Sequence, residues 1–240
     1  MCELKREEDT VFKGGRAHVK YKSAMNIIQK AKVLGIRFLS DWTYCLRITR
    51  DNFKFVPGQC VNIGLVGSGI NREYSTYSGI NEDFLEFLIR KVPGGAVSVD
   101  LSKLKPGREV TLDGAYGDFI IAKPVAKRKF IFIGSGTGIA PFHSYVKSYP
   151  KLDYRIIHGI RYGSEQYDSQ DYGKGGYFAC VSKEGGGNFS GRVTAYLKKI
   201  SLPQDALYYL CGNRSMINDV YDILRHRGIN GNNIFTEVFF

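Results

Sequence analysis

The chain has 240 residues, of which 43% are hydrophobic and 24% are charged, and its net charge at pH 7 is +11. These proportions are typical of a globular protein of one or two domains, and they exclude collagen-like and low-complexity chains. The five cysteines are widely spaced without a Cys-x-x-Cys pair, which argues against a zinc site or a cysteine-bound iron–sulfur cluster. No apolar run approaches a membrane span in length, and we expect reduced thiols in a cytoplasmic protein.

The first 24 residues differ from the rest of the chain. They mix charges and glycines with few apolar positions and have no period, so we predict a loosely ordered extension over 1–24. The functional part is expected to begin at Met25.

The next hundred residues, 25–124, follow a pattern of short strands separated by turns. Alternating or apolar runs occur at AKVLGIRFL, YCLRITR, QCVNIGLVG, REYSTYS, FLEFLIRKV and EVTLDG. Pro-Gly and Gly-rich turns separate them, which predicts a small antiparallel barrel. A short helix is predicted near 97–104, with Ser98 near its start.

After residue 124 the rhythm changes to buried strands that alternate with helices. KFIFIG, YRIIHGI, YFACVS, ALYYLCG and NIFTEVFF read as strands of an open parallel sheet over 125–240. Pro141 is expected in the first turn of one helix. Ser215 is expected to cap another, which Gly228 ends and which carries Met216, Val220 and Leu224 on one face.

The segment GSGTGIAP carries the strongest local signal of the second half. Its glycines follow a strand and precede a helix, an arrangement that lets backbone N–H groups approach a phosphate. The spacing G-x-G-x-G differs from the usual dinucleotide pattern, and a tight turn without a ligand is the alternative. Ligands of such sheets bind beyond the carboxyl ends of strands, where Cys211 and Gly212 fall.

Basic and hydroxyl residues follow other strands of the same sheet. Together they are able to form a pocket for an anion such as a 2′-phosphate, although each alone is typical of a solvated surface. No acidic residue directly ends YFACVS, although Glu184 comes two residues later. The residues of this predicted pocket are Arg161, Ser182, Lys183 and Arg192.

The segment REYST predicts a second anion site. Alternation places Arg72, Tyr74 and Thr76 on one face of a strand and Ser75 on the other. Arg72 and the helix start in GGAVS are able to hold a diphosphate from two sides, and Tyr74 offers a ring for a flat ligand. The alternative is an exposed edge strand with a surface ion pair. The role of Tyr77 stays open between packing in the barrel and contact with one end of such a ligand.

The ordered set of motifs resembles the flavin-dependent reductases of the ferredoxin–NADP⁺ reductase family. REYST, GAVS, LKPGREV, GAYGDF, GSGTGIAP, HGIR, VSKE, SGRV, LCGN and EVFF follow each other in the family's order over 28–240. The resemblance implies a two-domain fold: a six-stranded antiparallel Greek-key barrel that binds FAD over 25–124, then a Rossmann-like parallel-sheet domain that binds NADP(H) over 125–240.

The resemblance also implies roles for residues at the flavin. In this family an arginine contacts flavin phosphate, a tyrosine stacks on the ring and a serine lies near flavin N5, which map to Arg72, Tyr74 and Ser75. A terminal aromatic residue, here Phe239 or Phe240, covers the other ring face. The implied FAD-binding residues are Arg72, Glu73, Tyr74, Ser75, Thr76, Gly95, Ala96, Val97, Ser98, Phe239 and Phe240.

A second set of roles concerns the nicotinamide nucleotide. The family's glycine-rich turn holds the pyrophosphate, and its CGN cysteine borders the nicotinamide. Lys183 departs from the family's usual arginine, and Phe239-Phe240 from its frequent terminal tyrosine. The implied NADP-binding residues are Gly136, Thr137, Gly138, Arg161, Ser182, Lys183, Arg192, Cys211, Gly212 and Met216, and the implied catalytic residues are Ser75, Cys211 and Glu237, with no metal.

The resemblance implies electron transfer between NADP(H) and a one-electron carrier, ferredoxin or flavodoxin, by hydride transfer at flavin N5. The basic charge suits docking of an acidic carrier, and we expect a monomer that binds neither nucleic acid nor a membrane. An NADH-using reductase component of an oxygenase or cytochrome system is the close alternative. A nucleic-acid-binding module or a non-catalytic flavin-binding protein is more remote, because the basic residues are scattered and the site motifs are all present.

Overall fold

The computed structural model of the chain describes residues 28–122, 128–173 and 175–239. The predicted extension over 1–24, the predicted domain boundary at 124/125 and Phe240 lie outside these ranges. Within them, no helix combines the length and the apolar character needed to cross a bilayer.

The first half forms a six-stranded antiparallel sheet that closes into a barrel. In space the strands follow the order β4-β3-β6-β1-β2-β5, and Thr76 bridges to Phe87 so that the two edge strands meet. This confirms the barrel expected from the sequence. The strands are β1 (Gln29–Phe38), β2 (Thr43–Thr49), β3 (Cys60–Leu65), β4 (Asn71–Ser75), β5 (Phe84–Arg90) and β6 (Glu109–Tyr116).

The barrel interior is filled by the alternate apolar residues of these strands. Leu46, Ile48, Val61 and Ile63 are completely buried in one cluster, as the period of two along a strand requires. The predicted short helix is confirmed as α1 (Ser98–Leu101), which is buried on the barrel through Leu101.

The second half forms a six-stranded sheet in which every pair of neighbours is parallel. Its order is β10-β9-β8-β7-β11-β12, and its apolar strands are continuous because helices cover both faces. The two-residue strand β10 was not predicted, because it is too short to carry a periodic signal. The strands are β7 (Phe130–Ser135), β8 (Tyr154–Ile160), β9 (Tyr177–Val181), β10 (Phe189–Ser190), β11 (Leu207–Asn213) and β12 (Ile234–Phe239).

Three helices cover this sheet: α2 (Ala140–Ser148) on one face, and α3 (Val193–Leu197) with α4 (Arg214–His226) on the other. The predicted cap of α4 is wrong. Asn213 is the cap, because its side-chain oxygen accepts the N–H groups of Ser215 and Met216 at 3.0 and 3.4 Å.

The predicted apolar face of α4 is confirmed, with Ile217 as an additional member, and the predicted end of the helix is confirmed as well. Ile217, Val220 and Leu224 are buried, and Met216 lies half-buried beside them. The chain leaves α4 through Gly228, whose φ of +82° suits a residue without Cβ.

One apolar cluster joins the barrel to the parallel sheet. Tyr77 and Phe119 from the first half pack with Phe132, Phe142 and Tyr145 from the second. Neither role left open for Tyr77 is therefore correct, since it is completely buried between the two halves. This shared core fixes where the edges of the two sheets meet.

Candidate functional site

A cleft of about 720 Å³ opens where the edge strand β4 approaches the last strand, β12. Residues of β3, β4, the loop before α1, the glycine-rich turn and β12 line it together. Ten of the sequence-predicted residues are joined here with Phe239: Arg72, Glu73, Tyr74, Ser75, Gly95, Ala96, Val97, Ser98, Thr137 and Glu237. A second groove of about 540 Å³ between α3 and α4 contains none of them.

Strand β4 presents its side chains to the cleft from the edge of the barrel. Tyr74 pairs with Val61 and packs against the barrel core, and burial raises its pKa to about 12. Arg72 is exposed and donates one hydrogen bond of 2.7 Å to the Asn71 carbonyl. A guanidinium carries five N–H donors, so others remain available for a ligand in the cleft.

The loop before α1 is held in place by the barrel. The Gly95 N–H donates to the Val92 carbonyl at 2.8 Å, and a Cβ at Gly95 would lie 2.9 Å from that same oxygen. Ser98 Oγ accepts the Val92 N–H at 3.0 Å, and the Ser98 carbonyl accepts the Tyr44 hydroxyl at 2.6 Å. The loop is therefore pre-formed, with the Ser98 hydroxyl proton still available as a donor.

A hydroxyl and a carboxyl line the centre of the cleft, and the buried thiol of Cys211, which does not line it, lies beside the carboxyl. Ser75 Oγ donates to Glu237 Oε2 at 3.1 Å, and Cys211 Sγ lies 3.8 Å from the same oxygen. Burial raises the pKa of Glu237 to about 7, against the opposing effect of these two donors. Burial, together with the neighbouring carboxylate, raises the pKa of Cys211 well above its usual value, so it stays a thiol.

Two glycines let the glycine-rich turn lie against the end of β11. A Cβ at Gly138 would clash with the Cys211 carbonyl, and one at Gly212 would clash with Ser135 Oγ. Gly136 differs, because no described atom lies within 4 Å of its Cβ position, and its φ is +55°. The predicted glycines thus divide into two that pack the fold and one that faces open space.

The sequence analysis missed a histidine that supports this turn. His158 is completely buried, and burial lowers its pKa to about 4, so the ring is neutral. Its Nε2–H must donate to the Gly136 carbonyl at 2.7 Å, and its Nδ1 then accepts the Tyr177 hydroxyl at 2.8 Å. The motif HGIR contained this residue, but only the register of β7 with β8 reveals its partner.

The predicted anion pocket lies at the far edge of the parallel sheet. The Lys183 N–H donates to the Arg161 carbonyl at 3.0 Å, which brings these two residues together, and Arg192 precedes α3 nearby. The Ser182 hydroxyl donates to the Ile160 carbonyl at 3.0 Å. Glu184 also reaches this edge, where its carboxylate accepts the Gly163 N–H.

Several predicted residues do not line the cleft. Thr76 is buried, with its hydroxyl 3.2 Å from the Gln59 carbonyl, so its predicted place beside Arg72 and Tyr74 is wrong. The chain turns after Ser75 to bridge to β5, which removes Thr76 from the face of β4. Met216 packs on the apolar cluster under α4. Lining residues that the sequence analysis missed are Cys60, Asn62, Asn71, Leu88, Arg90, Val92 and Val238.

Comparison with known proteins identifies the family. Residues 39–121 match the model of the oxidoreductase FAD-binding domain. The chain is 30% identical, over 255 aligned positions, to the toluate 1,2-dioxygenase electron transfer component of Pseudomonas putida, covering 99% of this chain and 75% of the relative. The chain belongs to the ferredoxin–NADP⁺ reductase family. FAD is therefore confirmed as the cofactor of the barrel domain.

Other members of this family match most of the chain. The ferredoxin–NADP reductase of Azotobacter vinelandii is 27% identical over 85% of this chain and 92% of its own length, and its name agrees with the expectation of NADP(H). A ferredoxin NADP⁺ reductase from Neisseria gonorrhoeae shares the fold with a TM-score of 0.79, at 21% identity over 89% of this chain and 99% of that one. The ferredoxin reductase in carbazole 1,9a-dioxygenase shares the fold with a TM-score of 0.81. It is 23% identical, and the match covers 94% of this chain and 73% of that one.

Proposed function

We propose that this family member transfers electrons between NADP(H) and a separate one-electron carrier, a ferredoxin or flavodoxin, with FAD bound at the barrel. The observation that carries the proposal is the 3.1 Å contact of Ser75 with Glu237 at the centre of the cleft. It joins the edge of the barrel to the edge of the parallel sheet, so that two cofactors bound by the two sheets would meet there.

The described residues fit a flavin dinucleotide. The cleft has the volume expected for a cofactor site. Tyr74 and Phe239 supply aromatic rings, Arg72 supplies a cation, and the glycine loop before Ser98 lets a phosphate approach the backbone. We therefore propose that these residues hold FAD, that residues 25–124 form its domain, and that Phe239 and Phe240 cover the ring.

When bound, FAD supplies a centre that accepts a hydride and returns electrons singly. The chain supplies proton handling and orientation around it. Glu237 has a pKa near the working pH, so its carboxyl group gains or loses a proton at neutral pH, and Ser75 contacts that oxygen directly. Cys211 remains a neutral thiol, and its buried sulfur packs beside the carboxyl group of Glu237.

We place the nicotinamide nucleotide on the domain formed by residues 125–240. Gly136 and Thr137 stand in the turn that His158 supports, and Thr137 also lines the cleft. Arg161, Lys183 and Arg192 provide three cations at the strand ends, which favours a 2′-phosphate. Ser182, Gly138, Gly212 and Met216 then support the turn and pocket through packing and backbone geometry.

A second candidate is an NADH-using reductase component of an oxygenase. Two observations favour it: the similarity to the toluate dioxygenase component, and the presence of Glu184 among the strand-end cations. A carboxylate at this place suits the free 2′-hydroxyl of NADH and repels a 2′-phosphate. The net charge of +11 suits an acidic carrier in either case, and we propose a monomer.

Stopped-flow reduction of the purified protein tests both candidates. The protein should carry a flavin absorbance that is released on denaturation, and NADPH should bleach it faster than NADH at equal concentration. A faster reaction with NADH would select the second candidate. A protein that is colourless and does not bind added FAD would refute both.

A further inference from the structure

The segment that follows Ser75 lies along helix α2, and α2 follows the glycine-rich turn. Polar contacts connect the two over their whole length. They are His143 Nδ1 with the Tyr77 carbonyl at 2.6 Å, Ser144 Oγ with the Ser78 carbonyl at 2.8 Å, the Ile80 N–H with Ser148 Oγ at 2.9 Å, and Lys147 Nζ with Glu82 at 3.6 Å. The segment that continues the strand of Ser75 is therefore bonded to the helix that continues the nucleotide turn.

Tyr77 is the residue at which these contacts converge. Its ring is completely buried and stacks on His143, with centroids 3.8 Å apart and planes at 13°. Its hydroxyl donates to the Asp168 carboxylate at 2.9 Å. Tyr77 thus holds both α2 and the loop 161–173, two separate parts of the second domain.

Asp168 in turn bonds back to the barrel. Its carboxylate accepts two hydrogen bonds from Arg37 in β1, at 2.9 and 2.8 Å, and only 11% of its side chain is exposed. Its backbone has φ of +47°, a conformation that costs energy for a residue with a Cβ. Beside it the Tyr167 hydroxyl lies 3.0 Å from Thr43 Oγ1 of β2.

These contacts form a closed circuit between the domains. Tyr77 stands two residues after Ser75, and His143 stands six residues after Thr137. Each side of the cleft is therefore connected to this circuit by a short stretch of chain. Asp168 also bonds the circuit to β1 of the barrel through Arg37. A change at Arg37 or Asp168 would therefore alter how the two sheets sit at the cleft without touching it.

We propose that Arg37, Tyr77 and Asp168 form an interdomain latch that sets the separation of the two halves of the cleft. They are positioning residues for the transfer of hydride between the two cofactors, and this role rests on the proposed function. A hydride crosses only between atoms at near-attack distance, and a displacement of about 1 Å is able to cost about 100-fold in rate. The buried Asp168 makes the latch specific, because an unpaired buried carboxylate is strongly unfavourable.

The chain provides a matched control. Arg47 forms a comparable pair with Glu86, at 3.2 and 3.1 Å, and its side chain is 43% exposed, against 45% for Arg37. Arg47 lies in β2 and Glu86 in β5, so both residues of this pair belong to the barrel. Glu86 Oε2 also lies 4.0 Å from Arg37 Nη2, but the removal of Arg47 leaves the bonds of Asp168 to Arg37 and Tyr77 in place. It should therefore cost similar stability without freeing the second domain.

The experiment compares FAD-loaded Arg37→Met, Asp168→Asn and Tyr77→Phe with Arg47→Met. Flavin reduction is followed with whichever nucleotide reduces the wild type faster. We expect the limiting rate to fall about tenfold in the latch variants, with half-saturation changed by less than about twofold. In Arg47→Met the limiting rate and the half-saturation concentration should both stay within about twofold of the wild-type values. The melting temperature of this variant should fall about as much as that of the latch variants. Hydrogen exchange of segment 76–82 and α2 should accelerate only in the latch variants.

The proposal is overturned if the latch variants match Arg47→Met in limiting rate and in exchange, or if half-saturation rises while the limiting rate is unchanged. Tyr77→Phe removes only a hydroxyl, so it provides a folded variant if Arg37→Met fails to fold. A wild-type flavin that neither nucleotide reduces would refute the proposed function instead. Exchange would then still decide whether the latch holds the domains together.

Discussion

Ser75 and Glu237 meet at 3.1 Å although they stand on the edge strands of two different sheets. Ser75 is only 4% exposed, and burial raises the pKa of the Glu237 carboxyl from 4.5 to about 7, although the hydrogen bond from Ser75 acts in the opposite direction.

This raised pKa predicts a pH dependence of stability. Between pH 4.5 and 7 the folded protein holds a proton on Glu237 that the unfolded chain has released, so stability falls as pH rises through this window. The full loss corresponds to about 3 kcal/mol, an order-of-magnitude figure. Urea unfolding of flavin-free wild type and Glu237→Gln at pH 5 and pH 8 measures it.

The difference between the two proteins isolates the effect. His158 has a lowered pKa of about 4, so its contribution has the opposite sign and falls as pH drops below its usual 6.5. That contribution is common to both proteins and cancels in the difference. An equal pH dependence in wild type and Glu237→Gln would show that Glu237 ionises normally.

Replacement of His158 should loosen the glycine-rich turn. His158→Ala leaves the Gly136 carbonyl and the Tyr177 hydroxyl without this partner, which should cost about 1–3 kcal/mol of unfolding free energy and weaken nucleotide binding. Tyr177→Phe is the control, since it removes one hydrogen bond of the ring and keeps the bond to Gly136. Comparable nucleotide affinity in both variants would contradict the supporting role of His158.

The packed glycine Gly138 and the open glycine Gly136 should give different defects on substitution, one mainly in stability and the other mainly in nucleotide binding. Gly138→Ala places a methyl group against the Cys211 backbone, so it should destabilise the fold by several times the cost of Gly136→Ala. Gly136→Ala should cost about 1 kcal/mol through its positive φ, while it narrows the open side of the turn. Urea unfolding and nucleotide titration of both variants check this, and the larger binding loss relative to stability should belong to Gly136→Ala.

The strand-end charges should set the choice of nucleotide. Glu184→Gln removes a carboxylate that lies near Arg161 and Lys183, and should raise the ratio of NADPH to NADH specificity about tenfold. Lys183→Ala should lower the same ratio by a similar factor, measured as kcat/KM with an artificial acceptor. If neither variant moves the ratio, these residues do not contact the 2′ position.

The sequence predicted the elements well because their signals are local. KFIFIG is apolar at every position since both faces of β7 are covered, and GSGTGIAP shows the strand, turn and helix in order. Asn213 rather than Ser215 caps α4, a choice between two good capping residues that the strand end decides. β10 needs only two residues, too few for any pattern.

The parts of the site that escaped prediction depend on distant residues. Cys60 enters the cleft only because β3 pairs with β4, and the bond that joins Glu184 to Gly163 spans 21 residues of sequence. Arg37 and Asp168 are separated by 131 residues, and neither belongs to a recognisable motif. Such contacts follow from how sheets and loops pack, for which the sequence has no short-range signal.

The close packing of Gly138 and Gly212 also marks which parts of this scaffold are open to redesign. Neither position accepts a side chain, so both glycines must be kept in any variant that preserves the path of the nucleotide turn against β11. The exposed loops at 161–163 and 182–186 are not packed in this way, and only a few backbone hydrogen bonds constrain them. Libraries that aim to exchange one nicotinamide coenzyme for another belong there, where variation leaves the frame of the cleft intact.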